Sequence, residues 1–423
     1  MKILLINPFR YFSINRHLHR RYPLPAVTLP YLASFIPDRH QVEIIDEALG
    51  AIDFDTPADV VGITTLSVNA HRAYEIAAEF RKRGRRVIMG GPHVSAVPDE
   101  AKAHCDTVAI GNGEGTFPTI IADLEQGILK DFYHNTQPSV IPENINATAG
   151  SSWQTSVLAS RGCELSCDFC SMQHIFGNFY LQRDAPSTIK DIREVKTQII
   201  SFVDDNFYGA SSSSQSFYDK VLDEIAASGK QWMAQVRLPI LRNKRTLEKF
   251  RDSNCIGLFV GFESINPANR AAMGKQKVDK TFYRDVIAQV HAHGIGVIGS
   301  FIFGFDEDTP DTINETLNFC IDTRMEMTAF SVLTPYPGTA IHRDMKAQQR
   351  LLSEDWRLYD SDNAVFQPKN FTPRGLEKQV LEAARSFYSM PSILKRMKFG
   401  MNYGPFKMFL APNLIRKYSL TKM

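Results

Sequence analysis

The sequence predicts an α/β protein built in two parallel-sheet parts. An N-terminal doubly wound sheet comes first, then a partial barrel of six βα units, then a small helical C-terminal cap. Three observations carry this reading. Short apolar runs alternate with amphipathic helical stretches over residues 1–130 and again over 153–340, the pattern of βα units in parallel sheets. Glycine-rich turns close several of the apolar runs. Between the two series, residues 131–152 carry Asn, Pro, Thr and Ser without periodicity and read as a linker.

Length and composition fit this division. A chain of 423 residues has room for two or three domains with their own cores. A hydrophobic content of 43% and a charged content of 22% are ordinary for a globular protein. The net charge of +2 gives no global field for nucleic acid. Met1–Pro8 reads as a buried strand and lacks the longer apolar region and cleavage site of a signal peptide. With no bilayer-length apolar run, a cytoplasmic location is expected.

In the first part, strands are predicted over Lys2–Asn7, Gln41–Asp46, Ala58–Thr65, Arg86–Gly91 and Thr107–Ile110. Helices are predicted over Ala26–Phe35, Ala70–Arg83, Pro98–His104 and Phe117–Glu125. The fourth strand ends in Gly90-Gly91-Pro92-His93 and the fifth in Gly111-Asn112-Gly113-Glu114-Gly115. Doubly wound sheets bind ligands outside their carboxyl strand ends, where glycine permits close backbone approach. Neither turn is the G-x-G-x-x-G fingerprint, which disfavours a nicotinamide dinucleotide.

The second part predicts strands over Thr155–Ser160, Gln198–Asp204, Gln231–Arg237, Gly257–Glu263, Val297–Gly304 and Met327–Leu333. Between them lie helical patterns over Ser187–Val195, Gln215–Ala227, Thr246–Asp252, Lys280–His293 and Thr312–Ile321. Functional groups of such barrels sit at the carboxyl strand ends. Those ends carry, in order, a cysteine loop, Asp204-Asp205, Arg237, Glu263, Gly304-Phe305-Asp306 and Thr334-Pro335-Tyr336.

The cysteine loop is Cys163-x3-Cys167-x2-Cys170, with the other three cysteines scattered singly. Thiolates are the soft ligands of iron–sulfur clusters. Three of them serve three irons of a four-iron cubane and leave one iron open for a small molecule. Three core cysteines or a zinc site are the alternatives. Zinc sites pair two C-x2-C or His units across a longer stretch, and no second pair follows here.

From about residue 340 the chain predicts a helical cap, including Gly375–Tyr388. Ser392–Met423 then carries seven Lys or Arg, no Asp or Glu, and interleaved Met, Phe and Tyr. Arg16–Arg21 is a second basic stretch. Both read either as solvated segments or as a cationic amphipathic surface for a membrane or an anionic substrate.

The cysteine loop resembles the signature of the radical S-adenosylmethionine (SAM) superfamily. The two glycine turns resemble the cobalamin-binding domain preceding the barrel in one subgroup of it. Phe202–Phe207, Gly261–Ser264, Phe301–Asp306 and Thr334–Gly338 are similar to the same subgroup, which includes class B methyltransferases, the anaerobic magnesium-protoporphyrin cyclase and hopanoid-modifying enzymes. Tyr359-Asp360 and Val365–Pro368 are similar to its cyclase and hopanoid branch.

That resemblance implies a Rossmann-like domain followed by a TIM-type partial barrel. It implies a 4Fe–4S cluster on Cys163, Cys167 and Cys170, with SAM on the open iron. Reductive cleavage of SAM would give a 5′-deoxyadenosyl radical that abstracts hydrogen from an unreactive carbon. Phe169 would lie near the adenine. Asp204, Arg237, Glu263 and Ser300 would meet polar groups of SAM, and Asp204, Asp205, Glu263 and Tyr336 are the catalytic candidates. Glu263 and Arg237 could instead form a rim salt bridge.

Cobalamin contacts are implied at Thr64, Thr65, Ser67, Gly91, His93, Gly111, Gly113 and Glu114. The D-x-H-x-x-G motif that ligates cobalt in mutases is missing, and His93 reads equally as a core histidine. The implied activity is C-methylation of a small hydrophobic or lipid-like molecule through methylcobalamin, with an electron donor such as flavodoxin or ferredoxin. A cyclase or oxidase without cobalamin and a non-catalytic sensor are the alternatives.

Overall fold

The computed structural model describes residues 1–9, 26–135, 148–150, 153–209, 211–275, 278–400 and 406–421. The basic stretch Arg16–Arg21, most of the expected linker and several tail side chains lie outside these residues.

The first sheet contains β1 (Lys2–Asn7), β2 (Gln41–Asp46), β3 (Val60–Thr64), β4 (Arg86–Gly90), β5 (Thr107–Gly111) and β6 (Phe132–Asn135), in the order β2-β1-β3-β4-β5-β6. All its pairings are parallel. Side chains alternate across a strand, so Leu4 and Ile6 enter one core with Ile76 and Phe80. Ile3 and Leu5 enter the opposite core with Phe117 and Ile120. Covering both faces is what makes these strands continuously apolar. The strand order reverses between β1 and β3, which places the ligand crevice beyond Asn7 and Thr64.

The second sheet follows with β7 (Thr148–Gly150), β8 (Gln154–Val157), β11 (Ile199–Phe202), β12 (Gln231–Val236), β13 (Cys255–Glu263), β14 (Gly296–Phe303) and β15 (Met327–Val332). Its order is β15-β14-β13-β12-β11-β8-β7, with β8 and β11 through β15 parallel and β7 an antiparallel edge. The order does not close on itself, so the barrel is partial, as expected. Between β8 and β11, β9 (Ser160–Gly162) and β10 (Tyr180–Gln182) form a separate antiparallel pair. On β14, residues 297, 299, 301 and 303 are buried against the helices, while 298, 300 and 302 are partly exposed on the concave face. The helices start at side-chain caps that satisfy free amides: Ser211, Asn243, Asp279 and Thr309 each accept from an amide of the first turn.

Two expectations are corrected. The stretch read as a linker contributes β6 and β7, because four residues with one buried aromatic are too short to show a period. The helix expected from Phe117 starts at Gly113, directly after the Gly111 turn. The C-terminal segment is helical, as expected, and packs closely: Trp356, Tyr359 and Val365 join the core of the first sheet, and the helix Pro373–Phe387 packs beside β15.

Candidate active site

The cysteine loop is held at its base by the two aspartates that follow β11, Asp204 and Asp205. Asp204 is buried, and its Oδ1 accepts from the amides of Ala159 (2.7 Å) and Ser160 (2.6 Å). Its Oδ2 accepts from Tyr218 Oη at 3.4 Å. Asp205 Oδ2 accepts from the amide of Gly162 at 2.8 Å. Both carboxylates therefore brace the strand leading into Cys163. Burial pushes the Asp204 carboxyl up to about 7, against the lowering effect of the two amides. Gly162 has φ +86°, and a Cβ there would stand 2.2 Å from the carbonyl of Phe179. Only glycine fits this turn.

Within the loop, the Cys170 amide donates to the Cys167 carbonyl at 3.0 Å, and the helix Ser171–Phe176 follows at once. Burial pushes the Cys167 thiol up to about 11, opposed by the nearby Lys275 ammonium. The charges of Cys163 and Cys170 also act on it, so the three sulfurs share one small region. Lys275 Nζ donates to Glu263 Oε1 at 2.7 Å and stands 5.5 Å from the centre of the Phe169 ring. Glu263 has φ +62° at an irregularity in the β13–β14 pairing. A strained non-glycine backbone at a strand end is typical of functional positions.

Arg237 and Glu263 do not pair with each other. Arg237 Nη2 donates to Glu164 Oε2 inside the cysteine loop at 3.0 Å. Ser300 lies on the concave face of β14, opposite Gly261 of β13. Sequence reasoning missed Lys275 and Glu164. No spacing marks either one, and only the docking of residues 273–275 against the loop brings Lys275 in.

At the N-terminal strand ends, Gly91 has φ +103°, and a Cβ there would lie 2.8 Å from both the nitrogen and the oxygen of Thr65. The Thr64 hydroxyl is 3.2 Å from the same point. Gly111 has φ +86° and donates its amide to Ser95 Oγ at 3.0 Å. Gly113 opens the following helix. The buried Thr65 hydroxyl has no hydrogen-bond partner among the described residues.

His93 and Glu114 are committed to the interior. Ser67 Oγ sits 3.2 Å from His93 Nδ1, and Tyr74 Oη sits 3.2 Å from Nε2. With both ring nitrogens engaged, the ring buried and Trp356 packed against it in a T-shaped contact, His93 has the environment of a core histidine. Glu114 Oε1 accepts from Arg161 Nη1 (2.7 Å) and Tyr31 Oη (3.1 Å).

A cavity of about 340 Å³ lies between the two sheets. Leu66, Ser67 and Val68 line it from the first sheet, Ser171 and Ile175 from the helix after Cys170, and Tyr336 from the loop after β15. Tyr336 Oη is 3.2 Å from Ser361 Oγ.

Comparison with known proteins agrees with this geometry. The model of the radical SAM superfamily matches residues 157–320, and that of the B12 binding domain matches 18–121. The chain is 30% identical over 415 residues to bacteriochlorophyllide d C-12(1)-methyltransferase of Chlorobaculum tepidum, covering 93% of this chain and 89% of the relative. The chain belongs to the radical SAM superfamily. It is 28% identical to the bacteriochlorophyllide d C-8(2)-methyltransferase of the same organism, over 88% of each chain. Among solved structures, the radical SAM methyltransferase TsrM of Kitasatospora setae, with cobalamin and a [4Fe–4S] cluster bound, shares its fold at a TM-score of 0.71 and 14% identity. That match covers 100% of this chain and 99% of the other.

The residues present fit the cofactors of a radical SAM enzyme with a B12-binding domain. No three His, Cys, Asp or Glu side chains among the described residues converge on one metal-ion position. A cubane asks for something else, since each thiolate binds a different iron. Cys163, Cys167 and Cys170 on one short, braced loop meet that need. Gly91 and the free Thr65 hydroxyl offer close backbone approach and a polar contact for cobalamin at the strand ends. Among the described residues, no helix is long and apolar enough to cross a membrane.

Proposed function

We propose that this radical SAM enzyme C-methylates an unactivated carbon of a large apolar molecule, using SAM at the cysteine loop and cobalamin at the N-terminal strand ends. The observation that carries this is the shared cavity. Its wall combines residues next to the cobalamin-type turns, Leu66 to Val68, with Ser171 and Ile175 immediately after Cys170. A substrate carbon held there is within reach of both modules.

When bound, SAM at a reduced cluster supplies hydrogen-atom abstraction, and cobalamin supplies the methyl group. The chain's own residues bind and orient. Glu263 and Lys275 offer opposite charges for the ammonium and carboxylate of SAM. Phe169 offers a ring face beside them. Leu66, Val68, Ile175 and Pro337 exclude water from the reacting carbon, and the Tyr336 hydroxyl is the polar contact for substrate.

The substrate class is supported by the apolar lining and by the relatives, which are named as methyltransferases of bacteriochlorophyllide d. The exposed apolar side chains of the last two helices, in a segment without acidic residues, support peripheral contact with a membrane that holds such a substrate. A flavodoxin or ferredoxin of the cytoplasm is the proposed electron donor.

Anaerobic reconstitution with hydroxocobalamin, SAM, dithionite and a chlorophyllide tests the reading. The expected products are 5′-deoxyadenosine and S-adenosylhomocysteine with a methylated macrocycle. 5′-Deoxyadenosine without S-adenosylhomocysteine points to a cyclase or oxidase, and neither product points to a sensor. Cys167→Ala should lose cluster and turnover together.

A further inference from the structure

The turn that ends β5 touches the cysteine loop on both sides. Before the loop, Arg161 is the middle residue of β9, two residues from Cys163, and its Nη1 donates to Glu114 Oε1 at 2.7 Å. After the loop, the Asn112 side-chain amide approaches the carbonyl of Phe176, at the end of the helix that follows Cys170, at 3.4 Å. Asn112 and Glu114 belong to the same short stretch, Gly111-Asn112-Gly113-Glu114.

Arg161 is held from both directions. Its neighbours Ser160 and Gly162 are fixed on the barrel side by Asp204 and Asp205. Its guanidinium reaches the N-terminal sheet and stands 5.6 Å from the Tyr31 ring centre. Glu114 is equally committed: its side chain is only 5% exposed, it shares Oε1 with Tyr31 Oη, and its Oε2 is buried without a hydrogen-bond partner among the described residues. It also sits in the first turn of the helix Gly113–Gln126, where free amides favour a negative charge. This is a desolvated ion pair, so removing one partner leaves the other charge largely uncompensated.

We propose that Glu114 and Arg161 are a positioning pair through which the N-terminal domain sets the geometry and the charge environment of the cluster. The proposal rests on the reading that Cys163, Cys167 and Cys170 hold that cluster. Two residues of extended chain, about 7 Å, separate Arg161 from Cys163. The reduction potential of an iron–sulfur cluster responds to nearby charge and to the hydrogen bonding around it. An unneutralised Arg161 favours the more negative, reduced state, whereas an unneutralised Glu114 disfavours it. The pair as built cancels both effects while tying the loop to the neighbouring domain.

The test uses full-length protein with its cluster reconstituted anaerobically, in the wild type and in E114Q, R161Q, R161K and the E114Q/R161Q double variant. Iron and sulfide content and the electron paramagnetic resonance signal of the reduced wild type check the cluster itself. Redox titration of that signal at pH 8 then reads the pair. The expected result is a potential shifted upward in E114Q, shifted downward in R161Q, and close to wild type in both R161K and the double variant. Loss of cluster from each single variant, restored in the double variant, supports the same conclusion. Shifts of the same sign, unchanged potentials, or a loss that the double variant does not restore would overturn the pair. A wild type that takes up no cluster overturns the cluster reading and the pair together. Hydroxocobalamin uptake, followed separately by absorbance, judges the cobalamin site without bearing on the pair.

Discussion

Lys275 Nζ lies 2.7 Å from Glu263 Oε1 at the rim of the barrel, with the Phe169 ring beside it and the Cys167 thiol in its field. The pair presents one cation and one anion next to the cluster loop, a charge pattern complementary to the amino-acid end of SAM. Lys275→Met keeps most of the stem and removes the charge. A hydrogen bond to a charged group contributes about 1.5–3 kcal/mol, so the Kd for SAM is expected to rise roughly 10- to 100-fold. Iron content should not change. Equilibrium dialysis of cluster-loaded protein measures this, and an unchanged Kd would remove Lys275 from the SAM site.

Asp204 makes stability depend on pH in a specific direction. Burial raises its carboxyl to about 7, above the unfolded value of about 3.9. A group of this kind stabilises the fold fully below the unfolded value, and that contribution is lost as pH rises through about 7. Asp204→Asn keeps an acceptor for the Ala159 and Ser160 amides but does not titrate. Wild type should therefore lose stability relative to the variant between pH 4 and pH 8, by up to about 1.4 kcal/mol per pH unit in the titrating range. Thermal melts of the cluster-free proteins across that range decide it; parallel curves would show that Asp204 is not the group responsible.

His93 tests the distinction between a core residue and a cobalt ligand. Its two nitrogens are bonded to Ser67 and Tyr74, at 3.2 Å each. His93→Phe keeps an aromatic ring against Trp356 and loses both bonds, at a cost of about 2 kcal/mol. The spectrum of protein loaded with cob(II)alamin should be the same before and after the change, without nitrogen splitting from a histidine ligand. Splitting that appears in wild type and vanishes in the variant would make His93 a ligand after all.

What the sequence disclosed follows how local each feature is. Cys163, Cys167 and Cys170 are close in the chain, so their spacing alone displays the proposed ligand set. The glycines at 91 and 111 were legible because a positive φ leaves few alternatives. The partners of Asp204, Arg237, Glu263 and Glu114 were not legible, because each is brought in by tertiary structure. Arg237 meets Glu164 from 73 residues away, and Trp356 donates to Glu100 across 256 residues. The charged residues at the strand ends stand out in the sequence, and two of them, Asp204 and Asp205, brace the backbone leading into the cysteine loop. Phe132–Asn135 reads as a linker in the sequence because a four-residue strand shows no period until it pairs with β5.

The C-terminal helices offer a direct test of membrane contact. Arg396 is fully buried and donates to the carbonyls of Met325, Glu326 and Phe387 and to Asn413, which fixes both helices, Met390–Gly400 and Phe406–Thr421, to the barrel. The exposed apolar side chains are thus presented by an anchored platform: Leu394 is 52% exposed four residues after Met390, and Tyr418 is 60% exposed four residues after Leu414. Truncating the tail would remove Arg396 and disturb the barrel, so point changes are the better probe. Leu394→Asp and Tyr418→Asp place charge on the outer faces without touching the buried knot. Each exchange gives up the burial of a large apolar side chain, roughly 1.5–3 kcal/mol, and adds repulsion from an anionic headgroup layer. Binding to vesicles rich in anionic lipid should fall at least tenfold for the double variant in a sedimentation assay, with melting temperature unchanged. Equal binding of wild type and variant would assign the basic, apolar tail to some role other than membrane contact.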